Sequence, residues 1–260
     1  MIPILLLGAG RMGGALIEGW RAAGAFAGAD LIVRDPNVAA ADFGNASVNP
    51  PPEALGAART VLLAVKPQIW REAVRDVVPH LAPDAVVVSI AAGVRAADIS
   101  EAFGGRRVAR VMPTTAVAIG RGAASIFAED DAARAAAHAL FAPVATVVDL
   151  PNEGLMHAAT AVSGSAPAYL YAFVEALEAA GAALGLDPAD SARLARATII
   201  GAAALMEQGG EEPAELRKQV TSPGGTTAAA LAVLMGDGGF AELLPKALAA
   251  CVARSKELGG

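Results

Sequence analysis

The sequence predicts a doubly wound α/β domain over residues 1–151, followed by an all-α domain over 152–260 that is built to dimerise. Three observations lead there. Up to about residue 150, short apolar runs alternate with helical patterns. After Pro151 no strand pattern follows. Residues 153–206 carry few charges for helices of that length, so these helices must be buried on more than one face. A small helical domain has little interior to offer them, which predicts that they pack in a subunit interface.

The elements follow in order. IPILLLG (2–8) is a short apolar strand, and a glycine cluster leads from it into a helix ending near Ala23. LIVRD (31–35) is the second strand and TVLLAV (60–65) the next, followed by a helix from about Ile69 to Val78. AVVVSIAAG (85–93), RVARVMP (107–113), GAASIFA (122–128) and ATVVDL (145–150) supply further strands, and residues 130–142 a helix. Strands apolar along their whole length, alternating with helices, indicate a parallel sheet covered on both faces. In the second half, helices are separated by GLDP (185–188), QGGEEP (208–213), TSPGG (221–225) and MGDGG (235–239). Asp187-Pro188 and Glu212-Pro213 read as helix starts, with proline at the first helical position.

Composition narrows the function. The chain has 260 residues, 55% of them hydrophobic and 4% aromatic, so a large core packs mainly through Ala, Val and Leu. Its net charge of -6 argues against a nucleic-acid partner, which needs a basic footprint. The single cysteine, Cys251, rules out a disulfide framework within the chain and points to the cytoplasm. The uncharged run 219–236 is interrupted by Pro223, Gly224 and Gly225, so no membrane span is expected. The three histidines are scattered without metal-ligand spacing, and no metal site is predicted.

Gly8, Gly10 and Gly13 form G-x-G-x-x-G, with Arg11 and Met12 between the last two. The motif follows an apolar strand and opens a helix, the context expected of a dinucleotide-binding, Rossmann-like turn. The first glycine makes the turn, the second admits a pyrophosphate, and the third lets the helix pack on the strand. The second strand ends in Arg34-Asp35. An acid there reads the ribose 2′-hydroxyl of NAD, whereas an arginine accommodates the 2′-phosphate of NADP. Both are present, and Asp35 is equally suited to start a turn with Pro36 and Asn37. If Asp35 faces the ribose, its removal shifts preference toward NADPH. Ala64, Val65, Lys66 and Pro67 end the next strand, and Ala91, Gly93, Pro113 and Thr114 end the two after it. Open α/β sheets bind ligands at these strand ends.

Several motifs together resemble the pyrroline-5-carboxylate reductase family. They are GAGRMGGA (8–15), AVKPQ (64–68), SIAAG (89–93), RVMPTT (110–115), TAVSGSAPAY (160–169), VTSPGGTT (220–227) and ARSKEL (253–258). The resemblance spans nearly the whole chain, and its most specific pieces are 163–169 and 222–227. It implies a Rossmann domain and a helical domain that interlocks two subunits. It also implies reduction of 1-pyrroline-5-carboxylate to L-proline by NADPH, or less often NADH. Thr227 then places a hydroxyl near the ring nitrogen. Ser222, Pro223, Gly224, Gly225 and Thr226 form the carboxylate-binding turn, and Ser165 and Pro167 shape the helix beside the substrate. The chain departs from the family pattern at Thr114, usually Asn, and at Ala116, usually Pro. It departs again at Ala166, usually Gly, and at His157, where Asp is common.

The residues also admit a reductase of another cyclic imine, or a non-catalytic dinucleotide sensor. A β-hydroxyacid dehydrogenase would want a lysine on the helix near 165–184, and none is present. No G-x-S-x-G elbow supports a hydrolase. Hydride transfer fits a chain with few catalytic side chains, because the cofactor carries the reaction.

Overall fold

The computed structural model describes residues 3–39 and 43–258. Contacts divide the chain into two units: residues 1–164 with 252–260, and residues 165–251.

The first unit is an eight-stranded sheet ordered β3-β2-β1-β4-β5-β6-β7-β8. The strands are β1 (Ile4–Leu7), β2 (Leu31–Arg34), β3 (Ser47–Val48), β4 (Thr60–Leu63), β5 (Val86–Ser89), β6 (Val108–Pro113), β7 (Gly122–Ala128) and β8 (Ala145–Asp149). Ile2, expected in the first strand, lies outside the described residues. Side chains alternate across the sheet, as a period of two requires. Ile4, Leu6, Val33, Leu62 and Val88 enter one core with Leu16 and Trp20 of α1 (Arg11–Ala23) and Leu140 and Phe141 of α4 (Asp131–Phe141). Leu5, Leu7, Ile32, Leu63 and Val87 enter the other with Trp70 and Val74 of α2 (Trp70–Arg75) and Ile99 of α3 (Ala96–Ala102). The Trp20 indole N–H donates to the Leu140 carbonyl at 2.7 Å, so α1 and α4 are joined by a satisfied buried bond as well as by packing.

The fold departs from the sequence reading in three places. The sheet is not parallel throughout, because β7 runs antiparallel to β6. Only residues 114–121 connect them, and parallel neighbours need a crossover of about a dozen residues or more. The helix expected over 69–78 is limited to α2, with a separate 3₁₀ turn at Val78–His80. Pro79 restricts Val78 and removes a donor there. β3 and α3 were not separated in the sequence at all. By contacts, the sheet unit also extends past Pro151, where the strand pattern ends, as far as Gly164. Residues 153–164 stay with the sheet through α5 (Met156–Ala159) and a π-helical turn at Thr160–Gly164, which bury Met156 and Ala161.

One anchor explains that extension. Glu153 Oε1 accepts from the Arg110 guanidinium at 2.8 Å and from the Ala96 N–H at 2.7 Å. Arg110 is 5% exposed on β6, so its charge is held by a carboxylate that the chain brings back from beyond β8. Nearby, His157 Nδ1 lies 2.9 Å from Ser255 Oγ, and the pair ties the last turns of the chain to this unit. Burial, then the Arg110 and Lys256 charges, hold the His157 imidazole below its usual pKa, which favours the neutral ring.

The second unit holds α6 (Ala166–Ala183), α7 (Pro188–Gly209), α8 (Pro213–Gln219), α9 (Thr226–Leu234) and most of α10 (Phe240–Leu258). Asp187 caps α7, accepting from the Ala189 and Asp190 N–H groups. α6 and α7 meet where Ser191 Oγ donates to the Glu178 carbonyl at 2.8 Å, and Arg196 pairs with the Glu178 carboxylate at 2.7 Å. Gly181 allows this approach, since a Cβ there would collide with Ser191 Oγ. Among the described residues, α6, α8, α9 and α10 bury none of their own, and α7 buries only Ser191 and Ala195. No described helix is long and apolar enough to cross a membrane.

Glu153→Ala is expected to destabilise the protein by about 3 kcal/mol, because it leaves a buried guanidinium unpaired. Glu153→Gln keeps the acceptor oxygen and should lose less. Denaturant unfolding of both variants measures this, and a Glu153→Gln variant as stable as the wild type would show that the charge is unimportant.

Candidate functional site

In the first unit, strand register assembles the glycine turn and the strand ends on one edge of the sheet. Leu7 is level with Arg34 and with Leu63, and Leu63 with Ser89. The residues that follow, Gly8, Asp35, Ala64 and Ile90, therefore lie in a row. β1 is flanked by β2 on one side and β4 on the other, so the strand order reverses at this edge. Ligands bind at such reversal points in open α/β sheets.

Gly8 makes the turn with φ +93°, a region that disfavours residues with a Cβ. Its N–H donates to the Arg34 carbonyl at 2.9 Å. A Cβ on Gly13 would collide with the Gly8 carbonyl oxygen, so α1 packs directly on the turn. A Cβ on Gly10 would meet nothing within 4 Å, so open space lies beside the start of α1. The first bond of α1 runs from the Gly14 N–H to the Gly10 carbonyl, which leaves the N–H groups before Gly14 without intrahelical partners. Arg11 is exposed and Met12 half-buried beside that opening. An open glycine at a helix N-terminus, with free donors and a partial positive charge, fits the pyrophosphate of a dinucleotide.

The other strand-end residues divide. Lys66 is exposed, Pro67 half-buried, and Ala64 and Val65 pack against the Gly8 turn. Ala91 is buried and its N–H donates to Ser89 Oγ at 3.2 Å, while Gly93 has φ +78°. Pro113 and Thr114 are buried. The Thr114 hydroxyl accepts from the Ala123 N–H at 3.0 Å, and its own N–H donates to the Ala123 carbonyl at 2.9 Å. That hydroxyl extends the β6–β7 ladder, which gives the threonine at this position a structural reason.

The second unit carries the other predicted residues at two helix starts. Ser222 to Gly225 form a turn closed by a 3.1 Å bond from the Gly225 N–H to the Ser222 carbonyl. Pro223 at the second position and Gly224 at φ +70° in the third are the residues a type II turn requires. A Cβ on Gly225 would lie 2.6 Å from Ser222 Oγ and 3.1 Å from the Ser222 carbonyl oxygen, so a larger residue there would displace Ser222. Gly225 itself caps α9, and no threonine side chain bonds back to the backbone at this start. Thr226 and Thr227 form the first turn of α9, with Thr227 half-buried. Ser165 and Pro167 open α6, where Ser165 Oγ lies 3.4 Å from Cys251 Sγ. A hydrogen bond with Cys251, then burial, raises the pKa of Tyr169 in the same cluster. Among the described residues no hydrogen bond joins the 222–227 turn to Ser165.

Sequence reasoning missed Asn49. It adopts φ +47°, and its side-chain amide grips both backbone groups of Asp35. The only signal was an asparagine before a run of prolines, 50–52. No described cluster of His, Cys, Asp and Glu could hold a metal ion.

Fold and turn together define a dinucleotide-binding α/β protein with an appended helical unit. Residues 153–258 match the family model described as pyrroline-5-carboxylate reductase dimerisation, and residues 3–93 match NADP oxidoreductase coenzyme F420-dependent. The chain is 38% identical to the pyrroline-5-carboxylate reductase of Pseudomonas aeruginosa, with 98% of this chain and 96% of that one covered. The solved structure of a pyrroline-5-carboxylate reductase from Coxiella burnetii aligns with a TM-score of 0.90 at 32% identity, over 99% and 98% of the two chains. The Plasmodium falciparum pyrroline carboxylate reductase with NADP bound aligns with a TM-score of 0.84 at 26% identity, over 100% and 98%. The chain belongs to the pyrroline-5-carboxylate reductase family.

Gly13→Ala is expected to lower stability by about 1–3 kcal/mol, since α1 must lift off the Gly8 turn. Thermal unfolding measures this. An unchanged melting temperature would show that the helix shifts freely.

Proposed function

We propose that this protein is an oxidoreductase that reduces 1-pyrroline-5-carboxylate to L-proline with NADPH. The observation that carries the reading is the Ser222–Thr227 segment. It is a tight turn running into a helix N-terminus, within a chain related over its whole length to pyrroline-5-carboxylate reductases.

When bound, the cofactor supplies the hydride. The chain's own residues bind, orient and exclude water. The Gly8–Gly13 turn and the N-terminus of α1 hold the pyrophosphate, Arg34 and Asp35 lie toward the adenosine ribose, and Ala64 to Pro67, Ala91, Gly93, Pro113 and Thr114 line the strand ends. On the substrate side, the N–H groups of Thr226 and Thr227 hold the carboxylate, as helix starts hold anions. Ser222, Pro223 and Gly224 set their direction, and Ser165 and Pro167 form the adjoining helix start. The Thr227 hydroxyl accepts from the protonated ring nitrogen and so orients the imine. A protonated imine accepts a hydride at carbon and retains its proton on nitrogen, giving the secondary amine. Most of the rate then comes from orientation in a dry site.

The helical unit serves assembly. Tyr171 on α6, Ile200 on α7 and Val233 on α9 are 64%, 70% and 76% exposed, and α9 presents an almost wholly apolar surface. A second copy of the same unit is the partner that covers these helices, giving a homodimer. One cysteine and no disulfide suit a reducing compartment, and we place the reaction in the cytoplasm.

The first test follows loss of nicotinamide absorbance with purified protein and pyrroline-5-carboxylate, with NADPH and NADH in parallel. Substrate-dependent oxidation is expected. Turnover confined to a larger cyclic imine would redirect the substrate, and tight cofactor binding without any turnover would point to a sensor. Thr227→Val is expected to reduce kcat about 100-fold or more with cofactor affinity retained, as losses of a positioned group at the reacting centre do. An unchanged rate would remove Thr227 from the mechanism. Ile200→Glu should shift the protein toward monomer in light scattering, and an unaltered mass would take α7 out of the interface.

A further inference from the structure

The end of β2 is tied to the glycine turn by more than strand pairing. Asp35 Oδ2 accepts from the Ala9 N–H at 2.9 Å, and Asp35 Oδ1 accepts from the Asn37 N–H at 2.9 Å. Both carboxylate oxygens are thus engaged by backbone donors. One of those donors belongs to the turn that receives the pyrophosphate.

The backbone behind this carboxylate is clamped. Asn49 Oδ1 accepts from the Asp35 N–H at 3.0 Å, and Asn49 Nδ2 donates to the Asp35 carbonyl at 2.8 Å. Asn49 is itself fixed, because its N–H donates to the Val33 carbonyl at 2.8 Å. It holds φ +47°, the left-handed region that asparagine tolerates better than most residues. An amide bonded to both backbone groups of one residue leaves that residue little freedom to turn. To address ribose hydroxyls, the Asp35 carboxylate would have to give up or share charge-assisted bonds made from a locked backbone.

Arg34 is placed differently. Its carbonyl accepts the Gly8 N–H, and its Nη1 donates to the Pro50 carbonyl at 2.9 Å. That bond steadies the guanidinium through one of its five donors, and the fork matches a phosphate.

We propose that Asp35 is a positioning residue which holds the glycine turn in its cofactor-ready form. Asn49 is its clamp, and Arg34, not Asp35, selects between a 2′-phosphate and a 2′-hydroxyl. The inference rests on the cofactor reading given above. It also explains how an acid and an arginine occupy adjacent positions without opposing each other: one holds the turn, the other reads the ribose. With the Ala9 N–H directed to Asp35, the donors left for the pyrophosphate begin at Gly10.

Direct binding tests this without turnover. NADPH and NADH are titrated separately, by nicotinamide fluorescence, into the full-length wild type, Asp35→Ala, Asn49→Gly and Arg34→Ala. Asn49→Gly keeps the left-handed backbone accessible while removing the clamp, so it carries the comparison if Asp35→Ala does not fold. Asp35→Ala and Asn49→Gly are expected to weaken both dinucleotides by a similar factor, about tenfold, leaving the ratio of the two Kd values within about twofold of wild type. Arg34→Ala is expected to weaken NADPH about tenfold or more, with NADH little changed. Loss of NADH affinity in Asp35→Ala with NADPH affinity kept or improved would overturn the proposal, because that is the behaviour of a ribose reader. A selective effect of Asn49→Gly alone, or none of Arg34→Ala, would also overturn it. Wild-type protein that binds neither dinucleotide would sink the cofactor reading and this inference with it.

Discussion

The contact between α1 and β1 at the glycine turn is the constraint on which the dinucleotide-binding unit depends. Gly13 has no Cβ, so the helix sits against the Gly8 carbonyl. Gly8 takes a positive φ, so the chain reverses within a residue of the strand. That close approach sends Leu16, Ile17 and Trp20 into the core over Leu6 and Val33. It also points the helix start toward the strand ends that register has aligned. Packing and binding therefore share one piece of geometry: what keeps α1 on the sheet also presents its unpaired N–H groups.

The helical unit obeys an opposite logic. Its helices are joined by well-formed caps and turns, such as Asp187 at α7 and the Ser222–Gly225 turn at α9. Yet α6, α8, α9 and α10 bury no residue of their own among those described. Local signals specify each helix, but apolar surface left in water opposes folding of such a unit alone. The homodimer proposed above would resolve this, and the matched dimerisation model over 153–258 supports that proposal. The same helices carry Ser165 just before α6 and Thr227 at the start of α9, so the residues proposed to meet substrate stand on the helices proposed to form the interface.

Residues between these two regimes show how charge divides the chain. The strand pattern ends at Pro151, but contacts with the sheet continue beyond it. Glu153 returns to neutralise Arg110 and to bond the Ala96 N–H, and His157 meets Ser255. The sheet unit therefore retains the first helical residues after β8. Thr114 makes a related point. A position that departs from the family pattern has its hydroxyl bonded to Ala123 across the one antiparallel junction of the sheet.

Much of this was legible in the residues themselves. Apolar runs bounded by glycine and proline located seven of the eight strands, because fully buried strands need no polar alternation. Proline at 188 and 213 located two helix starts, since a proline N–H is not missed there. The glycine spacing at 8, 10 and 13 located the tight turn between β1 and α1. Three things required tertiary structure. The direction of β7 follows from how few residues connect it to β6. The partner of Arg110 is 43 residues away and leaves no local trace. The roles proposed for Arg34 and Asp35 turn on Asn49, which reaches back across 14 residues to clamp the backbone of Asp35. Sequence records what local backbone preferences and periodicity demand. Which donor meets which acceptor at long range is decided only when the strands are laid side by side.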